Sequence, residues 1–171
     1  YKNKLYINLN NEKFMIKINV LAVGKIKEKY FLDGINEYLK RLHRYAQVTV
    51  SEVSDETYIE PETPAELNKI LNAEAESIIK KLRGKTICLC VEGEKLSSEK
   101  FASLIKNYVS EGSEITFVIG GSYGLSEKVK KLASKKISFS EMTFPHAMAR
   151  LMLTEQIYRA FMIMNNSTYH K

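Results

Sequence analysis

Three segments of the chain carry residue types whose spacing could support chemistry. The first is Gly120-Gly121-Ser122-Tyr123-Gly124, directly after the apolar stretch 115–119. Positions without a Cβ permit positive φ and let backbone come close to a ligand. The run is not the spaced G-x-G-x-x-G of dinucleotide folds, and it lacks the Lys-Ser/Thr ending of a phosphate-cradling loop. A tight strand-to-helix turn is the plain alternative. The second segment is 137–150, ISFSEMTFPHAMAR, in which polar Ser140, Glu141 and Thr143 interrupt apolar Phe139, Met142 and Phe144 ahead of Pro145. An apolar slot with a few backbone donors at its edge is what an adenine ring requires. An ordinary connection with buried aromatics would have the same composition.

The third segment is the C-terminal stretch 145–171. At 100° per residue, His146, Arg150 and Thr154 form one polar stripe of a helix, and Glu155 and Arg159 form another about 140° away. Apolar residues fill the arcs between them: Leu153, Ile157 and Met164; Leu151, Tyr158 and Phe161; Met148, Met152 and Ile163. A circumference this apolar in a small domain predicts an outer face that meets a second subunit. The polar stripes must then be satisfied across that interface or by a substrate. The tail from Asn165 has no period and reads as a frayed end, yet its last three residues can stack (Tyr169), exchange a proton near neutrality (His170) and contact phosphate (Lys171).

These segments need a scaffold, and the hydrophobic pattern supplies one. Apolar runs at 16–23, 47–53, 86–91, 115–119 and 137–139 alternate with helical spacing at 29–45, at 65–82, from a Ser97 or Ser98 cap to about 110, after Ser126, and from Pro145 to about 164. Strands alternating with helices predict an α/β fold, a mainly parallel sheet with helices on both faces. Ligands in such sheets bind beyond the carboxyl ends of the strands, which selects the loops 24–28, 92–98, 120–125 and 140–145. A chain of 171 residues fits one domain; it is expected over 15–171, behind an Asn-rich N-terminal extension, 1–14, in which Leu5, Ile7 and Leu9 alternate like an edge strand. No apolar run is long enough to span a bilayer and no leader pattern opens the chain, so a cytoplasmic protein is expected. The 26 Lys and Arg against 20 Asp and Glu leave +6, which favours a polyanionic partner without identifying it. Cys88 and Cys90 share one strand face and read as core. No second Cys or His cluster completes a metal site.

Taken together, Phe117 to Leu125, Ser138 to His146 with Arg150, and Glu155 to Phe161 with the terminal Tyr169-His170-Lys171 resemble the bacterial ribosomal RNA large subunit methyltransferase H family, pseudouridine-N3 methyltransferases of the SPOUT superfamily. The resemblance covers 15–171 and includes the start, Met15 to Lys25. It implies a trefoil knot in the C-terminal half, a homodimer, and S-adenosylmethionine held by Leu89, Gly120 and the run Phe139, Ser140, Glu141, Met142, Thr143 and Phe144, with Gly121 and Gly124 shaping the loop. It also implies an active site at the dimer interface built from Glu155, Arg159, Tyr169 and His170, acting on 23S ribosomal RNA in assembled ribosomes. Basic Lys25, Arg150 and Lys171 are candidate RNA contacts. The chain departs from the family at Asn166 and Thr168, where many relatives have Gly and Pro, and at Cys90, where acidic residues are common. The chemistry needs neither a metal nor a covalent nucleophile. The N3 imide is protonated at neutral pH, so a base must help: His170 is the preferred one, Arg159 can stabilise the developing charge, and Glu155 either orients Arg159 or is itself the base. Two other classes fit the residues, a SPOUT enzyme acting on transfer RNA or a ribose hydroxyl, and a non-catalytic RNA-binding module without a cofactor pocket.

Overall fold

The computed structural model describes residues 16–55 and 60–170, with His170 described in its backbone alone; the expected extension 1–14 and Lys171 lie outside the described residues. The elements are β1 (Ile16–Val23), α1 (Lys29–Leu42), β2 (Ala46–Val53), α2 (Pro64–Ile79), β3 (Lys85–Lys95), α3 (Ser98–Ser110), β4 (Ile115–Ile119), α4 (Glu127–Leu132), β5 (Lys135–Ser138), α5 (His146–Met164) and a closing 3₁₀ turn (Thr168–His170).

The five strands form one sheet in the order β2-β1-β4-β3-β5, and every pairing is parallel. β4, ITFVI, is buried at all five positions, as a strand covered on both faces must be. On one face Ile18, Val20, Ala22, Ile87, Phe117 and Ile137 pack under α1, α3 and α5. On the other, Leu21, Val23, Cys88 and Val118 pack under Ala75 and Ile78 of α2 and Val129 of α4. Local chemistry starts the helices where it should. Thr63 and Glu66 form a capping box ahead of Pro64, and Ser97 and Ser126 accept from Lys100 N–H and Val129 N–H at the starts of α3 and α4, each satisfying backbone donors that have no partner within the helix.

Two expectations change. The apolar circumference of α5 is consumed largely within the chain: α5 lies on the sheet, with Leu153, Ile157 and Ala160 almost wholly buried, and is flanked by α1 and α3. Of its apolar residues Met148 stands most open, at 37% exposure, so the circumference by itself does not call for a second subunit. β3 also runs past 91, to Lys95. Its last residues pair again with β5, Ile137 standing opposite both Leu89 and Glu94. There Gly93 lies against the Ile137 backbone so closely that a Cβ would fall 2.4 Å from the Ile137 carbonyl carbon; only glycine fits this crossing.

Candidate active site

The carboxyl ends of three adjacent strands bring the loops together. Leu89 of β3 stands in register with Ile119 of β4 and Ile137 of β5, so the chain leaves β4 as Gly120 and β5 as Phe139 one or two residues beyond the Leu89 level. Leu89 and Phe139 both pack, partly buried, on the main core. The Gly120 loop closes on itself through a Gly121–Gly124 bridge, with Gly124 N–H donating to the Gly121 carbonyl at 3.1 Å. Gly124 has φ +79°, and a Cβ on Gly120 would sit 2.3 Å from the Gly124 carbonyl oxygen. The loop therefore needs glycine at one position for its dihedral and at the other for room. Gly121 itself is directed to the far side of the sheet, toward Val23 and Glu74.

After β5 the chain makes a serine-stabilised turn. Ser138 Oγ donates to the Ser140 carbonyl at 2.7 Å, and Ser140 Oγ accepts from Met142 N–H at 2.8 Å. Glu141 reaches across to pair with Lys95 at the end of β3. Glu141, Met142 and Thr143 are exposed, Phe144 is partly covered, and Met142, an open apolar side chain, is 69% exposed.

A cleft of about 300 Å³ lies between this turn, α3 and α5, lined by Leu96, Phe101, Ile137, Phe139 and Met152 with Ser98, Ser138, Glu155 and Gln156 at its polar edge. A shallower depression of about 320 Å³ lies at the amino ends of β1, β2 and β4. Its Asn19 accepts from Thr49 and Ser51, and it is at the wrong end of a parallel sheet for a ligand, so the cleft is the better candidate.

At the cleft edge Glu155 is the hub. Its Oε1 accepts from Arg159 Nε and Nη2 at 3.0 and 2.7 Å and from the Tyr169 hydroxyl at 3.3 Å. Its Oε2 accepts from Gln156 Nε2 at 2.6 Å, while Gln156 Oε1 accepts from Ser98 of α3. With four donors on two oxygens, Glu155 has little lone-pair capacity left for a proton in transit; the arrangement suits an orienting carboxylate. Glu155 raises the Arg159 pKa through their hydrogen bonds. Burial pushes the Tyr169 phenol up to about 12, assisted by a hydrogen bond with Tyr38, so Tyr169 stays protonated at neutral pH and acts as a donor and a ring. The Arg159 guanidinium also lies over that ring, 5.0 Å from its centre.

Of the residues singled out in the sequence, Phe139, Glu155, Arg159 and Tyr169 gather here, with Leu89, Gly120 and the 140–144 turn beside them. The His170 side chain and Lys171 fall outside the described residues. Lys25 is exposed in the loop after β1. Arg150 is different and corrects the sequence reading. Its side chain is wholly buried, with Nη1 donating to Glu52 at 2.7 Å and Nη2 to the carbonyls of Val23 and Gly24 at 2.9 and 2.6 Å, and Nε has no partner among the described residues. Burial lowers its pKa, against the raising effect of Glu52. Thr154, next on the same stripe, donates back to the Arg150 carbonyl. Through Arg150 this stripe ties α5 to the ends of β1 and β2, and neither Arg150 nor Thr154 reaches the surface. Conversely, Tyr38 and Arg41 of α1 escaped the sequence reading because Tyr38 falls at an apolar helical position; their i,i+3 spacing ahead of a basic helix end was the available signal.

Residues 16–170 match the family model described as "Predicted SPOUT methyltransferase". A protein of Streptococcus uberis named ribosomal RNA large subunit methyltransferase H is 49% identical over 159 residues, 91% of this chain and all of that protein. One of the same name from Carboxydothermus hydrogenoformans is 49% identical over 160 residues, again 91% of this chain and all of the relative. Among solved structures, the SpoU methyltransferase AviRb of Streptomyces viridochromogenes in complex with AdoMet aligns at TM-score 0.46 and 12% identity, over 86% of this chain and 59% of that one. On the strength of the family model and the near-half identity along the full length of these relatives, this chain belongs to the SPOUT methyltransferase family.

Proposed function

We propose that the chain is an S-adenosylmethionine-dependent methyltransferase that modifies N3 of a pseudouridine in 23S ribosomal RNA, acting in the cytoplasm on assembled ribosomes. The observation that carries this reading is the Glu155–Arg159–Tyr169 cluster at the edge of the cleft that Phe139 lines, in a chain whose relatives bear the name of a large-subunit rRNA methyltransferase.

The residues present suit the cofactor. The cleft offers apolar walls for a flat heterocycle, and the Gly120 loop and the 139–144 turn offer backbone. S-adenosylmethionine, when bound, supplies a methyl group already activated for transfer, which leaves the protein to position the acceptor and take its proton. Arg159 spends Nε and Nη2 on Glu155, so Nη1 lies outside that pair and is the atom that would face a developing imidate. Tyr169, protonated, serves as a stacking platform and donor. His170 follows it in the same 3₁₀ turn and is the residue we assign as base; Glu155 holds the others in place.

Two architectural readings accompany the function. A trefoil knot is supported by β3 lying between β4 and β5 and by the backbone crossing of Gly93 over Ile137. A homodimer is supported by the open apolar side chains Met142, in the turn after β5, and Met148, on α5, which a second copy would cover.

The test uses ribosomes from cells lacking the modification. Labelled cofactor is supplied with assembled ribosomes, with free large subunits and with transfer RNA, and the modified nucleoside is mapped by mass spectrometry. Label on a pseudouridine base of 23S RNA is expected. Label confined to transfer RNA or to a ribose hydroxyl would place the chain elsewhere in the superfamily, and absence of cofactor binding by calorimetry would leave an RNA-binding module.

A further inference from the structure

The hydrogen-bonded chain that starts on α3 does not stop at Tyr169. Tyr169 packs edge-on against Tyr158 of α5, with ring centres 4.9 Å apart, and Tyr158 lies 5.9 Å from Tyr38 of α1. The Arg41 guanidinium sits 5.7 Å from the centre of Tyr38 and 5.9 Å from that of Tyr158, and its Nε donates to Glu37 at 2.8 Å. Arg41 is 45% exposed. The run it begins, Arg41 to Arg44, follows Lys40 and ends in exposed His43 and Arg44. Three rings flanked by cations thus run in contact from the cleft to α1, in the order Arg159, Tyr169, Tyr158, Tyr38, Arg41, and exposed Arg44 follows just past the helix end.

Aromatic faces interleaved with guanidinium groups are the surface that single-stranded nucleic acid prefers, since bases stack on the rings and phosphates follow the cations. A merely structural aromatic cluster would be closed over. Here Tyr38, Tyr158 and Tyr169 are each only partly buried, and Arg41 and Arg44 are exposed. We propose that this line is the track for the RNA strand that flanks the target nucleotide, with one flanking base stacked at Tyr38 and phosphates met by Arg41 and Arg44. The proposal rests on the RNA methyltransferase reading above and extends it from the reacting base to the strand that presents it. No residue of α1 was a candidate on sequence grounds.

The experiment compares wild type with Arg41→Ala/Arg44→Ala, Tyr38→Ala and Tyr38→Phe, using unmodified ribosomes and labelled S-adenosylmethionine. These side chains are at or near the surface, and melting curves confirm that each variant folds. Each lost phosphate contact is expected to raise KM about fivefold at 0.1 M salt and to flatten the log–log salt dependence by about 0.7. Tyr38→Ala is expected to raise KM about tenfold. Tyr38→Phe, which keeps the ring, should leave KM near wild type. Cofactor affinity by calorimetry should be the same in all four proteins. A fall in kcat with KM and salt slope unchanged would overturn the track and make the line a brace for Tyr169, and so would unchanged kinetics throughout. Binding of a fluorescent uridine-rich single strand, read by anisotropy, tests the track without turnover and must weaken in the arginine variant. If wild type labels no ribosomal RNA, it is the underlying functional reading that fails, whereas active wild type with unaltered variants sinks this inference alone.

Discussion

Replacing Arg150 by Met separates the two roles open to this residue, RNA contact and internal tie. The guanidinium is wholly buried and makes bonds to Glu52 and to the carbonyls of Val23 and Gly24. Met fills nearly the same volume, so no cavity term arises, but two buried carbonyls lose a charged donor and Glu52 loses its partner. Hydrogen bonds to charged groups contribute about 1.5–3 kcal/mol each. Glu52 is 33% exposed, so water recovers much of its share, and removing the guanidinium relieves its own desolvation cost. A net loss of about 3 kcal/mol remains, equivalent to a Tm lower by roughly 6–12 °C in a chain of this size. The assay is urea and thermal unfolding at pH 7 alongside RNA binding at low temperature. Glu52→Gln should lose less, and the double variant should fall short of the sum because the two share one bond. If Arg150→Met melts within about 2 °C of wild type while losing RNA affinity, the internal-tie argument is wrong and the first reading of Arg150 as an RNA contact returns.

Further outcomes follow from the site. Gly120→Ala should weaken S-adenosylmethionine binding by calorimetry and lower Tm as well, because its Cβ would collide with the Gly124 carbonyl; Gly124→Ala meets open space and should cost only the dihedral penalty, about 1 kcal/mol. Tyr169 has its folded pKa raised to about 12 from an ordinary 10. Its contribution to stability is therefore complete below pH 10 and is lost as pH rises toward 12, because the unfolded chain gives up the phenolic proton first. Tyr169→Phe should flatten that part of the alkaline unfolding profile, measured as the difference from wild type. His170→Ala should cut turnover at saturating ribosomes with unchanged cofactor affinity, and part of the activity should return at higher pH; full turnover at pH 7 would remove His170 as the base.

The parts of the fold legible in the sequence were those governed by local chemistry. The strands announced themselves as short apolar runs, and Ser97 and Ser126 cap the helices their position suggested. Strand order was not legible, because pairings such as Ile18 with Ile115 join residues far apart in the chain. The end of β3 was missed for a related reason: 92–95 is polar Glu-Gly-Glu-Lys and extends only because β5 meets it a second time. In the site, the pairing of Glu155 with Arg159 was readable from i,i+4 spacing, while their place in an active site came from the family resemblance. Arg150 was misplaced because a helical wheel gives a direction and not what stands there; the ends of β1 and β2 do. Tyr38 was not singled out, since a tyrosine at an apolar helical position looks the same whether its ring is covered or partly open.

The interleaved strand order has a kinetic consequence. β3 and β4 cannot reach their final places as a local hairpin, since β4 must enter between β1 and β3 while β5 joins β3 from the far side. Contacts this distant along the chain place the protein among slow folders, and until they form the apolar runs 86–91 and 115–119 remain open to intermolecular pairing. The elements that finish the site, β5, α5 and the closing turn, assemble on a sheet that must already exist. Substitutions there should accelerate unfolding and leave the folding rate nearly unchanged. Variants of the C-terminal helix will therefore survive cool, dilute refolding and betray themselves by short lifetimes on warming.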